Sequence, residues 1–335
     1  MQYKSPFFYI VLVSLVCILC SSVSAFSRTK NGFISNLAAK KTALSMVMAP
    51  PGMKPDGSGG FKVAGAHPEE FVLENDNGAR AVIRTYGCNA FTYKTKDGIE
   101  VMGTRADAPN PQTDAKPYAG GNPHCFPQFG PGPLPQHGFA RGMTFIPEER
   151  AKKLSFDRMI YKLVPTPETK EIWPYDFEYR VDITLREECL EWEVIVKNLG
   201  DEEFDYTHGL HTYFDVSSLS NIEIEGQFQG ASTLDRLKEC DGTGDSNTLK
   251  ITEPVDMMYR GVTAPIVIKD TGKGTKVTIE REGYTDTCVW SPYGNEAQGF
   301  DKFICVEPIC GSPVKAPVGK FKETKYMMRV SCEKL

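Results

Sequence analysis

The first 55 residues contain no aspartate and no glutamate; the first acid in the chain is Asp56. The same stretch holds Lys4, Arg28, Lys30, Lys40, Lys41 and Lys54. Without those six of the 38 bases, 32 bases face 43 acids, a net charge of −11. The body of the chain is therefore acidic and the front is a different kind of segment. A basic stripe is missing as well, which removes the electrostatic footprint that a nucleic-acid partner would require. No Cys-x-x-Cys pair and no zinc-type spacing occurs. Histidine is scarce, with five in 335 residues. No internal repeat is present. No window of a dozen residues carries a helical apolar stripe, which argues against an α-helical domain.

The long apolar run that would span a membrane is also lacking. Phe7–Cys20, FFYIVLVSLVCILC, has 14 residues, against the roughly 20 that a span needs. It follows a short positive start and precedes small residues at Val23 and Ala25. That order reads as a secretory signal peptide over residues 1–25, cleaved after Ala25, with a single anchor helix as the alternative. Residues 26–60 are first basic, hydroxylated and acid-free, as a transit peptide is, then Pro/Gly-rich over Met48–Gly60. A signal followed by a transit segment beginning with Phe resembles the bipartite presequence of secondary plastids. The expected destination is the plastid stroma, with secretion as the alternative. No membrane contact is expected after processing.

The domain is expected over residues 61–335. Period-two alternation dominates there. YRVDITLREE puts Tyr179, Val181, Ile183 and Leu185 on one face. CLEWEVIVKNLG does the same with Leu190, Trp192, Val194 and Val196. KVTIERE, PIVIKD and NIEIEG are shorter copies, and ARAVIRTYGCNAFTYKT reads as two strands joined near Gly87. Many short strands with turn signals between them predict an all-β sandwich or barrel. The eight cysteines beyond Cys20 read as scattered small apolar residues of a reducing compartment, and their even number leaves a disulfide framework open.

Four histidines fall in two clusters, GGNPHCFPQFGPGPLPQHGFAR and YTHGLHTYFDV; His67 stands apart at the linker edge. The loop LPQHGFARG gathers an amide, an imidazole and a guanidinium, groups that suit a polar ligand. His208 and His211 have an i, i+3 spacing that could hold a metal, but no third ligand is evident and in a strand the two point apart.

Five fragments occur in order between Gly120 and Pro308: GGNPHCFPQFG, LPQHGFAR, HTYFDV, VDMMY and FICVEP. Together they resemble the glucose-6-phosphate 1-epimerases, the hexose-6-phosphate mutarotase branch of the aldose 1-epimerase superfamily, in the wording of its plastid-type members. The resemblance implies an all-β, galactose-mutarotase-like β-supersandwich in one domain. It implies His211 as catalytic acid and Glu307 as catalytic base. Gln136, His137, Arg141 and Asp256 then match substrate-binding positions. The expected partner is a sugar or sugar phosphate, bound by a monomer without cofactor or metal.

Exchange of α and β anomers opens the pyranose ring, which needs a proton delivered to the ring oxygen and another removed from the anomeric hydroxyl. An imidazole and a carboxylate on opposite sides of the anomeric carbon suit that task. His211 is then expected to rest protonated, supported by Asp215 or Glu307. One position departs from the family pattern: Ala119 stands where relatives carry a phosphate-binding arginine, and a methyl group does not replace a guanidinium. Arg141 remains, with Lys116 nearby. The alternative reading is a non-catalytic carbohydrate-binding or scaffold protein of a plastid complex. In such a protein the acid and base positions are the ones expected to drift, and both are present.

Overall fold

The computed structural model describes residues 69–110, 116–319 and 322–335. The signal peptide, the transit segment, the linker, the domain start at Phe61 and His67 lie outside the described residues.

Two large sheets and one small one make up the described chain. The alternating segments of the sequence all form strands. In the nine-stranded sheet, Thr275–Glu282, Glu323–Lys334, Cys189–Asn198, Phe177–Arg186 and Phe156–Leu163 lie side by side in that order. Tyr179, Val181, Ile183 and Leu185 are fully buried, as are Leu190, Trp192 and Val194. Each such side chain contributes about 1.5–3 kcal/mol on leaving water. The opposite face of Phe177–Arg186 is less exposed than strict alternation predicts. Asp182 is 8 % exposed because Arg158 and Arg180 reach across it from neighbouring positions.

The eight-stranded sheet runs Cys240–Thr243, Ser232–Asp235, Val255–Arg260, Asp286–Ser291, Phe303–Ala316, Phe204–Leu210, His124–Cys125, with Tyr213–Asp215 also paired to Phe303–Ala316. One core joins the two sheets: Ile304, Val306 and Leu210 from this one pack in the same cluster as Trp192, Val194 and Met328 from the other. Two polar ties cross that core. The Tyr179 hydroxyl lies 2.9 Å from His124 Nδ1 and 2.7 Å from His208 Nε2. The hydroxyls of Tyr206 and Tyr326 meet at 2.7 Å. His124 and His208 are thus hydrogen-bonded core residues, and His208 does point away from His211.

The hairpin read near Gly87 forms from Arg80–Arg84 and Asn89–Lys94. Gly87 has φ +75°, a backbone region that favours glycine. A Cβ there would lie 2.7 Å from the Arg141 carbonyl oxygen. The hairpin turn is thereby seated against the loop that carries Arg141. The one α-helix among the described residues, Pro167–Ile172, starts at a capping box of Thr166 and Thr169. Among the described residues no helix is long and apolar enough to cross a membrane.

Candidate active site

The site grows from one strand that is buried on both faces. In FICVEP, Ile304 and Val306 face the core between the sheets. By alternation Cys305 and Glu307 face the other way. Both are nonetheless buried, Glu307 to 1 % exposure. Antiparallel register sets their neighbours. Cys288 lies opposite Glu307, Trp290 opposite Cys305, Asp256 opposite Trp290, and Tyr213 opposite Cys305. Directly paired residues share a face, so Asp256, Cys288, Trp290, Tyr213, Cys305 and Glu307 form one continuous surface.

The loop from Phe126 to Gly142 covers that surface. The Gln128 side chain folds it: its Nε2 donates to the carbonyls of Gly130 and Leu134 at 3.1 Å, and its Oε1 accepts from Leu134 N at 3.0 Å. His137 holds a left-handed backbone, φ 65°, unusual for a residue with a side chain. The strain is held in place by its neighbours. His137 N donates to the Gly130 carbonyl at 3.0 Å, and Gly130 N donates back to His137 Nδ1 at 3.3 Å. Cys125 Sγ lies 3.2 Å from the same Nδ1. With Nδ1 accepting, the His137 proton sits on Nε2. Arg141 Nη2 donates to the Gln136 carbonyl at 2.9 Å, so this arginine braces the loop. Gln136 itself is exposed.

His211 and Glu307 meet here, with Nδ1 3.5 Å from Oε1. The two groups expected to act on one sugar carbon thus stand side by side in one place. Tyr213 stacks on the imidazole at 4.9 Å and 14°, while Trp290 and His137 present edges at 5.7 and 5.2 Å. His211 Nδ1 and Glu307 Oε2 are buried without a hydrogen-bond partner among the described residues. Such unmet polar capacity is rare in a finished core and marks a place for a ligand.

Electrostatics correct an expectation. Burial takes the His211 imidazole down to about 3, and the Arg141 guanidinium adds to the push. Burial raises the Glu307 carboxyl well above the usual carboxylate range; Asp256 adds to this and Arg236 opposes it. The resting proton of the pair therefore sits on Glu307, and His211 rests neutral. Asp215 does not support the imidazole, since it is paired with Lys273.

Sequence reading missed several members of this surface. Arg236 projects from a turn, 3.7 Å from Asp256 Oδ1 and over the Phe129 ring at 5.3 Å. Arg105 comes from the segment whose Gly103 N donates to the Tyr213 carbonyl at 2.8 Å. Neither belongs to a fragment with a recognisable pattern. Tyr213 and Cys305 were findable, each two residues from a candidate group on the same face. Cys305 also joins His211 and Glu307 in a cluster of possible donors that leaves out His208, so the His208/His211 pair gains no third ligand. The donor atoms of His211, Cys305 and Glu307 all lie within 4.8 Å of one another. Zinc bonds of roughly 2.0–2.3 Å in a tetrahedron ask for donors closer together than that limit requires.

Two packed antiparallel sheets with a buried imidazole–carboxylate pair on a sheet face define a galactose-mutarotase-like β-supersandwich. The crystal structure of a "putative mutarotase" from Salmonella typhimurium has this fold, with a TM-score of 0.72 at 21 % identity over 82 % of this chain and 94 % of that one. The chain belongs to the aldose 1-epimerase family, whose model matches residues 69–328. A Cenchrus ciliaris protein is 30 % identical over 260 residues, 72 % of this chain and 78 % of its own. An Escherichia coli protein is 26 % identical over 250 residues, 71 % of this chain and 82 % of its own. Each is named "Putative glucose-6-phosphate 1-epimerase".

Proposed function

We propose that this protein interconverts the α and β anomers of a hexose 6-phosphate, glucose 6-phosphate by preference, with His211 and Glu307 as its proton-transfer pair. The contact of His211 Nδ1 with Glu307 Oε1 at 3.5 Å carries the reading. The pair holds one proton, on Glu307 at rest. Passing it to the imidazole gives an imidazolium beside a carboxylate, the acid and base that ring opening requires. The carboxylate then takes the proton of the anomeric hydroxyl, and the imidazolium gives its own to the ring oxygen as the C1–O5 bond breaks. Rotation about C1–C2 and the reverse steps close the other anomer. The pair ends with one proton, as it began, and no cofactor enters.

Further support comes from the aromatic wall of Tyr213 and Trp290, which suits an apolar sugar face, and from the names of the relatives above. Gln136, His137, Arg141 and Asp256 are assigned to substrate binding. The acid-free front of the chain is assigned to plastid delivery.

The test is anomer exchange of freshly dissolved α-D-glucose 6-phosphate, followed by NMR. The wild type should accelerate it, and His211→Ala and Glu307→Ala should each lower the rate by at least about 10²-fold while remaining folded. A folded wild type with no acceleration over buffer would leave the scaffold reading instead.

A further inference from the structure

We infer that Arg105 is the residue that recognises the phosphate group of the substrate, and so sets the preference for a phosphorylated over a free sugar. The inference rests on the proposed function. Three guanidiniums act on His211: Arg141, Arg236 and Arg105. Each has a partner within the protein. Arg141 spends a donor on the Gln136 carbonyl, holding its own loop, and Arg236 faces Asp256 at the sheet surface. Arg105 comes from a different side of the site and is held differently.

Its backbone N–H donates to the Ala119 carbonyl at 2.9 Å, and Thr104 bridges Gly120. Arg105 thus lies in register beside Ala119, the position that carries no guanidinium of its own. Ala106 N donates to the Gln298 carbonyl at 2.9 Å, which fixes the segment from its other side. The Arg105 side chain is clamped along one edge: Nε donates to Asp107 Oδ1 at 2.8 Å and Nη2 to Asp107 Oδ2 at 2.6 Å. A guanidinium has five N–H donors and two edges that can each take a bidentate oxyanion. Asp107 fills the side edge and orients the fork. The end edge, Nη1 with the outer hydrogen of Nη2, remains for a second acceptor, and Gly103 N, two residues before Arg105, donates to the Tyr213 carbonyl at 2.8 Å, which ties the segment to the site.

Tyr213 stacks on His211, so Arg105 stands one aromatic ring away from the proton-transfer pair. In a hexose 6-phosphate the phosphate hangs from C6, the exocyclic carbon on C5 beside the ring oxygen, and projects away from C1. A dianion in that place needs a cation set back from the pair and open to water. Arg105 meets both requirements, with its side chain 23 % exposed. Phosphate would share the fork with Asp107, and the partial neutralisation by Asp107 keeps binding weak enough for release.

The experiment compares kcat/KM for glucose 6-phosphate and for free glucose in the wild type, Arg105→Ala, Arg105→Lys, and Arg105→Ala combined with Ala119→Arg. Arg105→Ala should lower the value for glucose 6-phosphate by roughly 10–100-fold. Any activity on free glucose should fall by a clearly smaller factor, because that substrate offers no phosphate. Inorganic phosphate should compete with glucose 6-phosphate in the wild type and compete at least 10-fold more weakly in Arg105→Ala. Lysine should restore activity in part, as a point charge without the fork, and arginine at position 119 should restore it from the neighbouring strand. A wild type active on glucose 6-phosphate whose Arg105→Ala variant keeps the same substrate ratio and the same phosphate inhibition would overturn the inference alone. A wild type inactive on both sugars would overturn it together with the proposed function.

Discussion

At the scale of the residue, the site is defined by two groups that burial drives to their neutral forms. Glu307 has its carboxyl raised and His211 its imidazole lowered to about 3. Interacting groups titrate as a pair, so activity should follow the one-proton state. That state survives mild acid, because His211 gains its proton only near 3. It is lost as pH rises through the raised value of Glu307. kcat/KM should therefore stay flat from neutral pH down to about 5 and fall on the alkaline side; a fall centred near 6.5, the ordinary histidine value, would contradict the assignment. Stability has a matching sign. A carboxyl whose folded value is raised favours the fold below its unfolded value and loses that contribution as pH rises through the folded one. Glu307→Gln mimics the protonated form without titrating. Its melting temperature should exceed that of the wild type, by a margin that widens from pH 5 to pH 9, while its activity falls. Thermal scans at three pH values read this directly, and a margin constant with pH would show that the Glu307 carboxyl is not raised in the fold.

Among the elements, the loop Phe126–Gly142 and the strand Phe303–Ala316 differ in how far the sequence revealed them. The strand was legible, since apolar residues on both sides of Glu307 made a surface position awkward, and it is buried on both faces. The loop gave up its candidate groups but not their jobs. Arg141 reads from sequence as a remaining phosphate contact, and its Nη2 also donates to the Gln136 carbonyl. Nothing in the order of residues announces that a guanidinium five positions on will bind its own chain. Arg105 and Arg236 were invisible for a related reason: they reach the site from turns and bridges that only tertiary pairing brings near. The bracing role has its own consequence. Arg141→Ala should lower kcat/KM for glucose 6-phosphate and for free glucose by the same factor. It should also lower the melting temperature, because a hydrogen bond to a charged group is worth about 1.5–3 kcal/mol. Selective damage to the phosphorylated substrate would return phosphate recognition to Arg141.

On the scale of the whole molecule, charge and architecture divide the chain at about the same place. The acid-free front ends at Pro55. The first described strand is Glu70–Glu74, and the family match begins at residue 69. Among the described residues, both sheets, their shared core and the two polar ties across it lie after that point. Alternation made this part readable: the pattern repeats every second residue, and each strand buries the face that the pattern names. Targeting, as proposed here for the front segment, is a separate physical problem, one that a short apolar run and dispersed positive charge would solve rather than packing. The two should therefore come apart. A protein beginning at Phe61 should match the full-length chain in melting temperature within about 2 °C, since 1 kcal/mol shifts a domain of this size by roughly 2–4 °C. Its kcat/KM should match as well. N-terminal sequencing of the native protein should find a first residue well past Phe26, near Met48–Gly60. A mature chain that retains Met1, or a glycosylated secreted form, would refute plastid delivery. A shortened protein that melts several degrees lower would show instead that the front contributes to the folded body.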